Sequence, residues 1–465
     1  MLRQWHRPRN FILAIASLAT GLNTVWWLPD KLQYGGWFIL CYFLFLLIFT
    51  LPFIYAEFLL GRQFRVNSEH VFSILFYRYL HKYPCRYKSR LRFNRLFNSF
   101  CLSIPFCSIL ACLLLLCVYL TVASWLLNYS GLLLSITATN ATDLTEALNL
   151  NAYFLQQANH PRTLLIQLII LSVALLLLRN KPPGLEKIAF GLGSLFLLGI
   201  MFSIIYASTE LTHFYQVVTE VFSFSRESLN WPMLRDAFLT AFFTFTPGSF
   251  LVMMLSAYAP LRSKNTNLFI ILAITFIASI SIALVIKTIF AETAIEFSAV
   301  PHLLFMQLPA ALDQLDAVVL TLNIMLLLFL ASFISLFYLS LRLSLFLKHN
   351  LLIEPLSASL IILLFTMIIN CIMVAGTWPE AGFHLDQFFL WNKLSQLTSY
   401  VLLPLASLGF VLLISTFLPR QALFYTHTTL KPISELIMPV YAYWTFRLAA
   451  PSLILLAIIL QIIQS

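Results

Sequence analysis

Charge is what this chain has least of. Of its 465 residues only 10% are charged, while 60% are hydrophobic. A soluble protein of this size and mean hydropathy of +0.89 would expose too much apolar surface, so a water-filled environment is excluded and the bilayer is the solvent. Paired cysteine spacing is also missing. Cys41, Cys101, Cys107, Cys112, Cys117 and Cys371 stand in apolar helix segments, and Cys85 stands in a basic loop. They read as small buried hydrophobes, not as a disulfide framework or metal site. No nucleophile–base set, metal-ligand spacing or phosphate loop is found, which argues against an enzyme. Two stretches, 128–161 and 291–316, have no Lys or Arg at all.

What fills the chain instead is apolar helix. The runs are too many and too long for one signal peptide. Windows of about 20 apolar residues predict eleven spans: 10–33, 37–60, 97–127, 163–179, 187–209, 237–258, 267–290, 317–347, 356–376, 394–417 and 434–463. Basic residues fall on one side of them. The start carries Arg3, Arg7 and Arg9, and the loop after the second span runs from Arg62 to Arg95 with nine Lys or Arg. Later loops on that side carry Arg179, Lys181, Lys187, Arg262, Lys264, Lys348, Arg420 and Lys431. The positive-inside rule places the N-terminus in the cytoplasm, and an odd count places the C-terminus outside. The basic loop reads as an anchor at anionic lipid headgroups, not as a nucleic-acid surface. A short interfacial helix is expected within 62–96, and short helical pieces within 292–316. The short tails suggest a bacterial inner-membrane protein, and nothing in the sequence indicates an oligomeric state.

Two spans are interrupted. The first runs into Gly21-Leu22-Asn23-Thr24, and the sixth into Thr246-Pro247-Gly248-Ser249. A mid-membrane break is costly unless its free backbone groups face a cavity or an ion, so it points to a transport site.

Several segments, in order along the chain, resemble the neurotransmitter:sodium symporter family. Gly21-Leu22-Asn23-Thr24-Val25-Trp26-Trp27-Leu28-Pro29 is similar to its first-helix pattern G-x-G-N-x-W/L-R-F-P. Pro52 through Glu57 to Gly61-Arg62 is similar to the end of its second helix. Tyr119 with Ser124-Trp125 resembles the third-helix element, and Gly184-Leu185-Glu186-Lys187 the G-I-E-K that opens helix five. Phe242-Phe243-Thr244-Phe245-Thr246-Pro247-Gly248 resembles the helix-six break, and Pro439 to Pro451 the final helix of bacterial members. The resemblance implies an all-α membrane protein with a leucine-transporter-like fold of eleven helices. One membrane domain would hold inverted five-helix repeats at 10–209 and 237–417, with an extra helix at 434–463.

It also implies a site. Gly21, at the position where amine carriers have an Asp, favours a substrate with its own carboxylate, received by the amides of Leu22 and Asn23. Tyr119 is either a further donor to that carboxylate or a packing aromatic. Ala19, Phe243, Thr244 and Thr246 would face the ammonium. Val122, Phe243, Ser249 and Leu339 would line the side-chain pocket, with Phe243 as an aromatic lid. A medium or large apolar amino acid is the expected substrate.

For sodium, the family's second site maps to the carbonyls of Ser17, Thr20 and Ala331 and the hydroxyl of Ser335, with Ile334 replacing another hydroxyl. The first maps to Ala19, Thr24 and Thr244, with Thr24 in place of an asparagine and another asparagine lost near Phe276. A lost oxygen ligand costs roughly 1–3 kcal/mol, so the second site is the one expected to work. Span seven offers only Ser279 and Ser281, so chloride dependence is not expected. The outer-gate charges are replaced together by Trp27 and Asn392, leaving neither ion unpaired. Arg3 and Trp5 resemble the inner-gate anchor. His349 replaces its aspartate and is either a proton-sensitive gate or a solvated loop residue. Glu57 is the clearest intramembrane acid, expected to hold the broken helix ends. Three readings stay open: a sodium-coupled carrier of neutral amino acids, a proton-coupled or uncoupled carrier, and a transport-dead solute sensor.

Overall fold

The computed structural model of the chain describes residues 4–74, 88–139, 160–226, 228–260, 263–293, 307–308, 311–312, 314–315, 317–375, 389–417 and 445. Every described element is helical. In chain order these are α1 (Pro8–Ala19), α2 (Leu22–Lys31), α3 (Gly36–Phe64), α4 (68–74), α5 (Lys88–Thr139), α6 (Pro161–Leu177) and α7 (Pro182–Glu210). Then follow α8 (Phe214–Val221), α9 (Trp231–Phe243), α10 (Leu251–Ala257), α11 (Thr266–Thr293), α12 (Val318–Asn350), α13 (Pro355–Ala375) and α14 (389–417).

Proline and polar caps set the helix starts. Pro8, Pro161, Pro182 and Pro232 fall in first turns, where a missing N–H costs nothing. His160 Nδ1 accepts from the Arg162 N–H at 3.1 Å, and Asn230 Oδ1 from the Met233 N–H at 2.9 Å. Two helices contain a π turn, Leu46–Thr50 in α3 and Leu397–Leu402 in α14. Each lies just before a proline, Pro52 and Pro404, whose ring disturbs the preceding hydrogen-bond ladder.

By length and composition, seven described helical segments can cross a bilayer: Gly36–Phe64, Ser103–Asn128, Pro182–Glu210, Thr266–Thr293, Val318–Asn350, Pro355–Val374 and Leu390–Ile414. Pro8–Ala19 and Pro161–Leu177 are shorter apolar helices. The expected span 434–463 lies outside the described residues apart from Thr445. So does most of 292–316, where helix is described at 307–308 and 311–312. Within 62–96, α4 is the short helix anticipated there. The segment 210–230, which carries no span, forms α8, an amphipathic helix burying Phe214, Val217 and Val221.

Helix α12 is the axis of the molecule. Its most apolar window is 89% buried, against 28% for α7, which faces outward. α12 packs along α5 and α7, α3 packs against α9 and α10, and α1 packs against α7 and α11. The two broken helices, α1–α2 and α9–α10, therefore meet beside the middle of α12.

Candidate substrate and ion site

The first break is short. Helix α1 ends at Ala19 and α2 begins at Leu22. The Gly21 N–H donates to Leu18 O at 3.2 Å, and the Thr24 N–H donates to Gly21 O at 3.1 Å, so the chain turns without losing its bonds. Gly21 is required by space. A Cβ there would lie 2.8 Å from Leu18 O and 2.9 Å from Ser335 Oγ, with Ala331 O at 3.8 Å. The end of α1 thus rests directly on α12.

The second break is longer, covering 244–250. Thr246, Gly248 and Phe250 have φ of +44°, +83° and +51°. Gly248 has no room for a side chain, since a Cβ would meet Leu403 O at 2.3 Å. Neighbouring helices meet several of the freed backbone groups, as a low-dielectric interior demands, and two are met locally, the Thr246 N–H by Phe243 O and the Ser249 N–H by Thr246 O. Ser108 Oγ donates to Gly248 O at 2.5 Å, and Arg342 donates to Ser249 O. Glu57 Oε2 accepts from the Met253 N–H at 2.9 Å, capping the start of α10. Glu57 is 3% exposed, so its carboxylate is buried against the broken end. Gly61, one turn on, lets α3 close on α10, where a Cβ would lie 2.2 Å from Met253 O.

Between the breaks is a chamber of about 20 Å³, room for one water molecule. Of the residues expected in the site, it brings together Ala19, Gly21, Leu22, Tyr119, Thr244, Thr246, Ser335 and Leu339. Leu18, Leu115 and Leu251 complete the wall and had no signal in the sequence beyond being apolar. Val122, Phe243 and Ser249 are not part of that wall. Val122 is packed inside α5, Phe243 turns its ring edge-on to Phe242 at 4.9 Å, and Ser249 lies past the chamber with its hydroxyl 3.4 Å from Thr246 Oγ1. The Asn23 side chain lies outside the described residues; its backbone sits in the first turn of α2.

The hydroxyls of both expected cation sets are held by local bonds. Beside Gly21, Ala331 offers a carbonyl and Ser335 a hydroxyl, with Ser335 Oγ donating to Ala331 O at 3.0 Å, while Thr20 O accepts from Thr24 Oγ1 at 2.7 Å. Such neutral oxygens suit a hard monovalent cation. Ser17 is fully buried one turn earlier, its hydroxyl bonded to Ala14 O at 3.2 Å. The other set is bonded in the same local way. Thr24 Oγ1 donates within its own segment, to Thr20 O at 2.7 Å and Gly21 O at 3.0 Å. Thr244 Oγ1 donates to Thr240 O at 2.7 Å and lies 3.0 Å from Tyr42 OH. Phe276 stacks beside Tyr42 and Phe43, with ring centroids 5.7 and 5.0 Å away. Aromatic carbon thus packs beside the position where the resemblance implies an asparagine ligand.

At the expected outer gate, Trp27 is 38% exposed and Asn392 is half-buried, and no bond between them is described. The aromatic pair over the site is their neighbourhood instead: Trp125 and Trp391, 5.7 Å apart, with Trp391 Nε1 3.5 Å from Val118 O. Further out, Lys31 Nζ lies 2.9 Å from both Asp30 and Asp236, and Arg235 pairs with Asp236 at 2.9 Å. This cluster, absent from the sequence reading, ties the end of α2 to the start of α9. Tyr34, in the turn after α2, reaches Asp236 Oδ2 at 3.5 Å; burial first, then the Asp236 charge, raise its phenol above the ordinary range.

At the expected inner gate, Arg3 lies outside the described residues. The Trp5 N–H donates to Tyr258 O at 2.9 Å, and the two rings are 6.1 Å apart. Glu186 does more. Its carboxylate accepts from the N–H groups of His6 and Arg7 at 2.9 and 3.0 Å and from Asn10 Nδ2 at 2.8 Å. It also lies 3.1 Å from His6 Nδ1. An anion at the N-terminal end of α1 is well placed against the helix dipole. His349 is exposed and lines a cavity of about 360 Å³ with Glu69, His70 and Asn350.

The resemblance to the neurotransmitter:sodium symporters stands when known proteins are compared with the chain. It is 27% identical over 327 residues to the uncharacterised sodium-dependent transporter YhdH of Bacillus subtilis (strain 168), covering 67% of this chain and 65% of that protein. A 67-residue stretch is 36% identical to the sodium- and chloride-dependent transporter XTRP3A of Mus musculus, 14% of this chain and 11% of that protein. Among solved structures, MhsT in complex with L-phenylalanine superposes with a TM-score of 0.74 at 18% identity, covering 99% of this chain and 100% of that one, which establishes the fold. No family model matches the chain.

Proposed function

We propose that this divergent relative of the neurotransmitter:sodium symporters carries a neutral amino acid together with sodium into the cytoplasm, by alternating access across a bacterial inner membrane. One observation carries the reading: two helix breaks face a single chamber, with Tyr119 and Ser335 in its wall. The first-turn amides of α2, at Leu22 and Asn23, suit a carboxylate. The C-terminal carbonyls of α1 and α9, at Ala19 and Phe243, suit an ammonium. Tyr119 adds a phenolic donor. No described acid lines the chamber, which fits a substrate that brings its own carboxylate. Leu115, Leu251 and Leu339 make the remaining wall apolar, which suits the apolar side chain anticipated from sequence.

Sodium is assigned to the oxygens of Ser17, Thr20, Ala331 and Ser335, beside Gly21. As a co-substrate it supplies a positive charge next to the carboxylate-binding amides. With Phe276 packed beside Tyr42 and Phe43 near the first set, this reading gives one cation per cycle. The local bonding of the hydroxyls in both sets supports a second reading, in which transport runs without sodium.

Uptake of labelled glycine, alanine, leucine and phenylalanine into proteoliposomes, with sodium and pH gradients imposed separately, decides between these. Sodium-driven uptake of an apolar amino acid, leucine or phenylalanine before glycine, is the expected result. Uptake driven by pH alone would select the second reading. No binding of any amino acid in a thermal-shift panel would remove the carrier reading.

A further inference from the structure

Among the described residues, Arg342 is the one arginine shut away from the surface, at 1% exposure. It lies eight residues before the end of α12, about 12 Å into the helix at 1.5 Å per residue. A guanidinium at that depth is strongly unfavourable unless it is paired and hydrogen-bonded. It is both. Nη2 lies 3.0 Å from Glu69 Oε1, and Glu69 is itself buried in α4, with Ser68 Oγ donating to the same oxygen at 2.8 Å. Nη1 donates to Ser249 O, and the guanidinium carbon sits 5.4 Å from the Phe250 ring centre. Ser249 and Phe250 are the last residues of the second break. Arg342 therefore joins three elements: the unwound stretch of α9–α10, the scaffold helix α12, and the cytoplasmic helix α4.

The position of the pair is as telling as its burial. Above it, Ser249 Oγ approaches Thr246 Oγ1, which lines the chamber. Below it, Glu69 lines the 360 Å³ cavity with His70 and His349. The ion pair is the partition between the two.

We propose that Arg342 is a positioning residue of the inner closure: with Glu69 it pins the end of the second break to α4, and separating the pair is a required step in opening the chamber toward the cytoplasm. Its meaning for transport rests on the carrier reading above; the closure itself does not. A hydrophobic pair of similar volume would fill the space, but it would not release a backbone carbonyl when it parted. The guanidinium does, because the same group holds Glu69 and Ser249 O.

Cys112 provides the test. Its thiol is fully buried, 3.7 Å from Ser249 O, behind the partition. The full-length chain, with its other cysteines replaced, is embedded in inside-out vesicles and treated with a membrane-impermeant maleimide. Slow labelling is expected for the parent. Glu69→Gln, which keeps shape and removes the charge, is expected to label on the order of tenfold faster, because a buried charge has lost its partner. Arg342→Met is expected to do the same, and Arg342→Lys to stay near the parent. Parent-like labelling of Glu69→Gln, in protein that melts as the parent does, overturns the proposal, and so does Arg342→Lys labelling as fast as Arg342→Met. Should Arg342→Met fail to insert, Glu69→Gln decides alone. Failure of every amino acid to alter Cys112 labelling in the parent would count against the carrier reading and leave the closure standing.

Discussion

Gly21 and Ser335 show how much one atom decides here. Adding a methyl group at Gly21 sets it against Leu18 O and Ser335 Oγ, both under 3 Å. Gly21→Ala is expected to insert but to show background uptake and no amino-acid-dependent thermal shift. Ser335→Ala removes one neutral oxygen from the cation junction. A loss of roughly 1–3 kcal/mol corresponds to a half-saturating sodium concentration raised about fivefold or more. Thr24→Ala, in the set beside Phe276, is expected to change that concentration less than about twofold, because its hydroxyl bonds only the nearby carbonyls of Thr20 and Gly21. A titration of sodium-dependent uptake checks both. If Thr24→Ala has the larger effect, the assignment of the ion to the Ser335 junction is wrong. These residues were legible in the sequence because Gly, Thr and Ser in mid-membrane are conspicuous. Leu115 and Leu251 were not, because in a chain with this many apolar residues nothing marks one leucine as facing a chamber. Arg342 was visible as a letter, but its partner in α4 is 273 positions away and no periodicity connects them.

At the scale of the element, the breaks survive because other helices complete them. Gly248 holds a left-handed turn against Leu403 O. Gly248→Ala combines a backbone cost of about 1–3 kcal/mol with a steric overlap, and is expected to lower the melting temperature in detergent and reduce folded yield. Glu186 holds the start of α1 through four contacts. Glu186→Ala leaves two N–H groups and Asn10 without that acceptor. A destabilisation of roughly 1–3 kcal/mol is expected, read as a melting shift, with Glu186→Gln in between. The broken spans could be read in advance from Gly and Pro among small polar residues. The π turns in α3 and α14 could not, because a one-residue widening leaves the apolar pattern almost unchanged. The outer charge cluster was also missed. Lys31 and Asp236 look like ordinary span-end charges until the fold sets α2 beside α9.

At the scale of the molecule, composition alone fixed the solvent, and the ordered motifs along the chain fixed the architecture that MhsT shares. The count of spans is the part that rests on sequence, since the final one lies outside the described residues. With eleven spans, reporters fused to the two ends are expected on opposite faces of the membrane, the N-terminal one in the cytoplasm; both on one face would exclude that number. Phe276, wedged against Tyr42 and Phe43, has an electrical consequence. If a single sodium ion accompanies a substrate that carries no net charge, every cycle moves one elementary charge inward. A membrane potential then adds about 2.3 kcal/mol per 100 mV to the driving force, nearly a further fiftyfold in the concentration ratio attainable inside. Collapsing the voltage with an ionophore at constant sodium gradient should therefore lower the plateau of accumulation, not merely its initial rate.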